Sequence, residues 1–170
     1  MSARQDEARP ASLRAYLLFG VVLAAALVAF CLLMRADLRR VRPLDASLWP
    51  EDEPGGFAWQ CTETAGPDYR TLEGYALVQG ERFESVNNYA VLYHAATGQY
   101  LRLPTVMVRR SEVNSLFTDG INYECAGFYA YVPLNALKDF PAQYELCFAY
   151  GANGRKALIH TGQYLGGEAA

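Results

Sequence analysis

From Ala15 to Met34 the chain runs for twenty residues without a charge, AYLLFGVVLAAALVAFCLLM. At about 1.5 Å rise per residue, a helix of that length spans about 30 Å, the hydrocarbon thickness of a bilayer. In lipid every backbone N–H and C=O must be paired within the segment, so residues 15–34 are predicted to form one transmembrane α-helix between Arg14 and Arg35. A secretory h-region is shorter, about 7–15 residues, and ends on a small-x-small site. Here the run ends in Leu32, Leu33 and Met34, and Ala36 is a poor cleavage position, so the segment reads as an uncleaved anchor. Cys31 follows the bulky Phe30, which does not suit lipoprotein processing, and reads as a small apolar residue facing lipid.

Charge divides the chain around this segment. Residues 1–42 carry seven arginines against three acids, and residues 43–170 carry eight basic against fifteen acidic residues. The acidic larger part excludes a phosphate-neutralising nucleic-acid face. Arg4, Arg9 and Arg14 precede the span, and Arg35, Arg39, Arg40 and Arg42 follow it. By the positive-inside rule four against three leans slightly toward a cytoplasmic C-terminal side, a bias that the N-terminal amine nearly evens. A short tail ahead of one span commonly stays in the cytoplasm, so the C-terminal domain is expected on the extracytoplasmic side of the cell membrane. The organisation is then a tail over 1–14, the helix over 15–34, a juxtamembrane segment and linker over 35–56, a domain over 57–165 and a tail over 166–170. The Pro-, Gly- and acid-rich stretch 43–56 reads as the spacer between helix and domain.

Residues 57–165 are enough for a single core. Short Tyr-, Val-, Leu- and Phe-rich runs recur there between Gly, Asn and Pro breaks, the pattern of an all-β sandwich. The expected strands are 57–62, 71–78, 89–94, 99–103, 105–109, 127–132, 143–150 and 156–161, which makes an immunoglobulin-like sandwich of about seven to eight strands. Asn153-Gly154 is the strongest hairpin signal. Alternation puts Phe128, Ala130 and Val132 on one face and Tyr129 and Tyr131 on the other. It likewise separates Tyr144, Leu146, Phe148 and Tyr150 from Glu145, Cys147 and Ala149. Residues 110–117 (RSEVNSLF) suggest a short helix with Ser111 as N-cap and Val113, Leu116 and Phe117 on one face, and 134–138 suggest one further turn. Neither is long enough for a parallel-sheet crossover, so an α/β fold is not expected.

Several short motifs then line up: Gly74-Tyr75; Arg110, Glu112, Val113 and Phe117 in a loop helix; Gly127-Phe128; and Tyr144 with Leu146 before the hairpin. Over roughly 70–165 the chain resembles a small β-sandwich domain found beside bacterial surface-polysaccharide glycosyltransferases and in related envelope proteins. The resemblance implies a cell-envelope accessory domain without catalysis of its own. The chain departs from that pattern in carrying no transferase domain, so a role in sugar transfer would require a partner chain.

The residues with chemical potential are few. Cys31, Cys61, Cys125 and Cys147 include no C-x-x-C pair, and His94 and His160 lie in separate strands without a His or Cys close in sequence. By spacing alone no metal site and no cofactor is expected, and the histidines read as half-buried strand residues. There is no G-x-S-x-G elbow and no P-loop. Glu73, Glu81, Glu84, Glu112 and Glu124 read as turn acids rather than as a glycosidase pair. An extracytoplasmic domain would permit a disulfide among Cys61, Cys125 and Cys147, although three reduced thiols are the preferred reading. The twelve tyrosines are the most suggestive feature. Tyr89, Tyr93, Tyr129 and Tyr131, with Arg110, are the candidate ligand-binding residues, because an outward tyrosine face stacks sugar rings or packs a partner. The run Arg109-Arg110-Ser111-Glu112 is expected to tether its loop helix through an Arg–carboxylate pair, with binding of an acidic polysaccharide as the alternative. The function expected is that of a non-enzymatic, single-pass envelope accessory protein that binds a surface polysaccharide or a membrane protein. The alternative is an assembly subunit of a membrane complex that acts through its helix, where Gly20 and Ala24 form a small-xxx-small pair.

Overall fold

The structure is a computed structural model that describes residues 13–38, 40–83, 85–137 and 143–166. Glu84, Lys138 and most of both tails named above lie outside the described residues. The chain divides into two compact units, one ending at Leu38 and one beginning at Arg39. The first is α1 (Leu13–Leu38), which extends the expected span at both ends. Within it Ala15–Asp37 is long and apolar enough to cross a membrane.

The second unit is mostly β. Its strands are β1 (Arg42–Pro43), β2 (Phe57–Ala65), β3 (Tyr69–Val78), β4 (Tyr89–His94), β5 (Gln99–Arg102), β6 (Thr105–Val108), β7 (Gly127–Pro133), β8 (Tyr144–Ala152) and β9 (Arg155–Tyr164). They form two antiparallel sheets, in the orders β1-β5-β4-β8-β9 and β2-β3-β7-β6. Eight of the nine coincide with the strands read from alternation, mostly within one to three residues at each end. The Asn-Gly hairpin forms as expected. Asn153 at φ 51° and Gly154 at φ 84° make the two-residue mirror turn that matches strand twist, with Ala152 opposite Arg155.

Leu72, Ala76, Phe128, Ala130 and Val132 from one sheet meet Ala90, Leu92, Tyr144, Leu146 and Phe148 from the other in a single apolar cluster. The predicted division of β7 holds, since Phe128, Ala130 and Val132 point inward. Asn88 spans the two layers, donating to the Ala76 carbonyl (3.4 Å) and accepting from the Gly151 N–H (2.9 Å). The side of β8 expected to face out is also buried, because it is covered from outside.

The cover is the stretch read as a spacer. β1 pairs with β5, and the Leu44 N–H donates to the Tyr100 carbonyl at 2.9 Å. A single 3-10 turn (Ala46–Leu48) follows, capped by Asp45, which accepts from the Ser47 N–H at 3.0 Å. Trp49 then packs edge-on against Tyr89 at 6.3 Å, and the Glu51 N–H donates to the Lys156 carbonyl at 3.1 Å. Residues 42–51 are thus a strap bound to the first sheet rather than a free linker. Pro and Gly richness marked irregular backbone correctly, but it carried no information about the apolar side chains Leu44 and Trp49 that seek cover.

The loop after β6 also differs from expectation. Ser111–Leu116 is a 3-10 helix whose capping position is Arg110, without a side-chain cap, so Ser111 is not the N-cap. Its tighter winding buries Val113 and leaves Leu116 exposed. Val113 packs with Leu77, Tyr123 and Ala126 in a small second cluster, joined by Phe117. Leu134–Ala136 is one 3-10 turn.

Candidate functional site

The five residues singled out from sequence divide between two outer faces. Tyr129 and Tyr131 stand on the outer side of the β2-β3-β7-β6 sheet, where alternation places them opposite the inward Phe128 and Ala130. Tyr129 is 40% exposed and lies between Glu73 on β3 and the exposed Val106 on β6. Tyr131 stacks on Tyr69 with ring centroids 5.0 Å apart and planes at 26°. Tyr69 is itself 40% exposed. Arg110 approaches the same face and pairs with Glu73 at 3.3 Å and Glu112 at 3.8 Å, as its predicted tethering role requires. This face carries three tyrosines, a carboxylate and a guanidinium within one patch of strand surface.

Tyr89 and Tyr93 lie on the outer side of the other sheet and take no part in that patch. Tyr89 is held between Trp49 and the Arg102 guanidinium, which sits 4.2 Å from its ring centre. Tyr93 packs on Tyr100 at 4.6 Å and meets the His160 ring edge-on at 5.0 Å. These two rings are therefore engaged within the chain, and the five candidates do not form one site. Tyr123 belongs to the interior. It is fully buried, donating to Asp119 (2.5 Å) and accepting from the Gly80 N–H (2.7 Å). That hydrogen bond holds the Asp119 carboxyl below the usual carboxylate range, while burial pushes the Tyr123 phenol up.

Beside Tyr93 the fold assembles a polar cluster that sequence spacing missed. Glu145 and Cys147 share the outer side of β8, and His160 stands opposite Cys147 on β9. The His160 Nδ1 lies 2.9 Å from the Glu145 Oε2 and 3.5 Å from the Cys147 Sγ. On the other side of the ring, Nε2 is 3.0 Å from the Tyr100 hydroxyl. Glu145 is 8% exposed, and its second oxygen, Oε1, accepts from the Gly162 N–H at 2.8 Å. Two features produce this arrangement. The Asn-Gly turn fixes the register so that counting back from Ala152–Arg155 sets Cys147 opposite His160. A bulge between Glu145 and Cys147, where Gly162 takes φ +73°, then draws Glu145 onto the same histidine. The turn was legible in the sequence, and carrying its register six pairs along would have exposed the Cys–His pair. His94, by contrast, is almost fully buried and bonds Thr97 (2.9 Å) and Gln143 (3.3 Å).

The cluster is not arranged as a nucleophile relay. Glu145 and Cys147 both address Nδ1, whereas a relay needs the carboxylate and the nucleophile on opposite nitrogens of the base. The Cys147 side chain is fully buried, and burial, with Glu145 beside it, pushes its thiol well above the ordinary range. All four cysteines are free thiols, with Cys61 half-buried and Cys125 exposed. A separate open cavity of about 440 Å³ lies between the loop after β6 and Phe83, and its charged lining is Arg82, Arg109 and Glu124. No protein family, curated protein or solved structure matches this chain.

Proposed function

We propose that this is a single-pass envelope accessory protein: α1 anchors it in the cell membrane, and an extracytoplasmic immunoglobulin-like sandwich binds a surface glycan without catalysis. The anchor reading rests on the length and apolarity of Ala15–Asp37. The immunoglobulin-like reading rests on strand order. With β1 set aside, β2-β3-β7-β6 corresponds to the A-B-E-D sheet of that fold, and β9-β8-β4-β5 to its G-F-C sheet with one added strand.

The observation that carries the binding reading is the open tyrosine face on the A-B-E-D side. Tyr69 and Tyr129 present ring surface to solvent, and the partly buried Tyr131 stacks on Tyr69 beside them, near Glu73 and Arg110. Flat rings bury the C–H faces of a pyranose at low entropic cost, and flanking charged groups take up its hydroxyls. Envelope polysaccharides of the kind implied by the resemblance offer that chemistry. The test is a glycan array probed with the full chain in detergent. Specific binding that is lost in Tyr129→Ala and in Tyr131→Ala but kept in Tyr93→Ala is the expected result. A folded protein that binds no glycan, or loses binding equally in Tyr93→Ala, refutes the reading. Orientation is tested separately by a reporter fused after Gly166, where a cytoplasmic signal would refute an extracytoplasmic domain.

A further inference from the structure

We propose that Glu145, Cys147 and His160 form a binding site for one divalent metal ion of the zinc class, on the outer face of the β1-β5-β4-β8-β9 sheet. Their ligating atoms, a carboxylate oxygen, a sulfur and an imidazole nitrogen, all lie within 4.8 Å of one another. A tetrahedral ion with bonds of about 2.3 Å to sulfur and about 2.0–2.1 Å to nitrogen sets those two atoms about 3.6 Å apart. The Cys147 Sγ and His160 Nδ1 stand 3.5 Å apart. The Glu145 oxygen, now 2.9 Å from Nδ1, has to draw back from that nitrogen by a few tenths of an ångström and close on the sulfur within the 4.8 Å that the three atoms span.

The donors are also oriented from behind, as metal ligands usually are. The Tyr100 hydroxyl sits at the Nε2 of His160, which leaves Nδ1 as the nitrogen turned to Glu145 and Cys147. The Gly162 N–H holds the Glu145 oxygen that would not bind the ion. Thiolate with imidazole selects zinc and its neighbours over calcium or magnesium, which want oxygen alone. Three protein ligands leave a fourth position for water, and His160, with its side chain 42% exposed, gives the ion a way in from solvent. On binding, the Cys147 sulfur gives up its proton to solvent. The proton between His160 Nδ1 and Glu145 leaves as well, so that Nδ1 is free to ligate while Nε2–H faces the Tyr100 hydroxyl. The six-coordinate aqua ion gives up all but one of its waters.

The test uses the full chain in detergent under reducing conditions, with Co(II) as a spectroscopic probe for zinc. One equivalent is expected to bind with a thiolate-to-cobalt charge-transfer band and tetrahedral d–d bands, both erased by added zinc. Cys125→Ser should leave the spectrum intact. His160→Asn, at a half-exposed position, should remove it while circular dichroism stays unchanged. Zinc should raise the unfolding midpoint of the parent protein but not that of His160→Asn. Tyr100→Phe, which keeps the ring and removes only the hydroxyl at the far ring nitrogen, should weaken binding about tenfold or more. Absence of the band in the folded parent protein, its persistence in His160→Asn, or its loss in Cys125→Ser would each overturn the site.

Discussion

A Cβ placed on Gly74 would lie 1.8 Å from the carbonyl oxygen of Gln60 on the neighbouring strand, and one on Gly127 would lie 2.6 Å from the carbonyl of Val108. Both distances are shorter than any real contact, and in each case the obstacle is backbone, which cannot swing aside. The geometry gives each of these strand glycines a steric reason. Gly74→Ala is therefore expected to push β2 from β3 and to destabilise the domain by about 1–3 kcal/mol, as overpacking does. Gly55→Ala, at an open position with no left-handed φ, should lose little. Urea unfolding followed by tryptophan fluorescence measures both, and equal losses would refute the close-approach argument. The sequence marks such glycines as unusual within strands, but it cannot say what approaches them, because the approaching carbonyl belongs to another strand.

At the scale of elements, what was legible follows from period and turn chemistry. Alternation located eight strands and separated Tyr129 and Tyr131 from the core residues between them. Two things were not legible. β1 has only two residues, too few to carry a period, and it exists because β5 offers it an edge. The division of the tyrosines between two sheets depends on strand order, which no local pattern encodes. The strap yields a direct prediction. A chain truncated to begin at Pro54 loses the β1–β5 pairing, Leu44, Trp49 and the Glu51–Lys156 backbone bond together, and exposes the outer side of β8. It should be markedly less stable than one beginning at Arg39. Trp49→Ala alone should cost about 2 kcal/mol from the apolar area uncovered, while the exposed Leu48→Ala should cost little. Thermal unfolding of the four proteins decides it, and identical midpoints for the two truncations would mean that the strap is passive.

The folded unit as a whole holds several of its titrating hydroxyls and thiols out of water, and this sets how its stability depends on pH. Burial pushes the Tyr150 phenol up to about 12 and the Cys61 thiol up to about 12, and raises that of Tyr123. An unfolded chain ionises its thiols near pH 8.5 and its tyrosines near pH 10. Between those values and the raised ones, the unfolded state has shed protons that the folded state keeps. Stability therefore falls as pH rises through that interval, because the slope follows the difference in bound protons. The contribution is complete below about pH 8 and is lost progressively from about pH 9 upward. The acid limb runs the other way. Asp119, held below its usual range by Tyr123, adds stability above about pH 4 that is lost as pH falls. Urea midpoints at about pH 7, 9 and 10.5 should thus decline in order. Tyr150→Phe keeps the ring that packs against Phe57 at 5.4 Å and removes one buried titrating hydroxyl, so it should flatten the alkaline decline. A midpoint that stays level to about pH 11 would mean that these hydroxyls and thiols reach water without unfolding, and that the two sheets open far more readily than their shared apolar cluster implies.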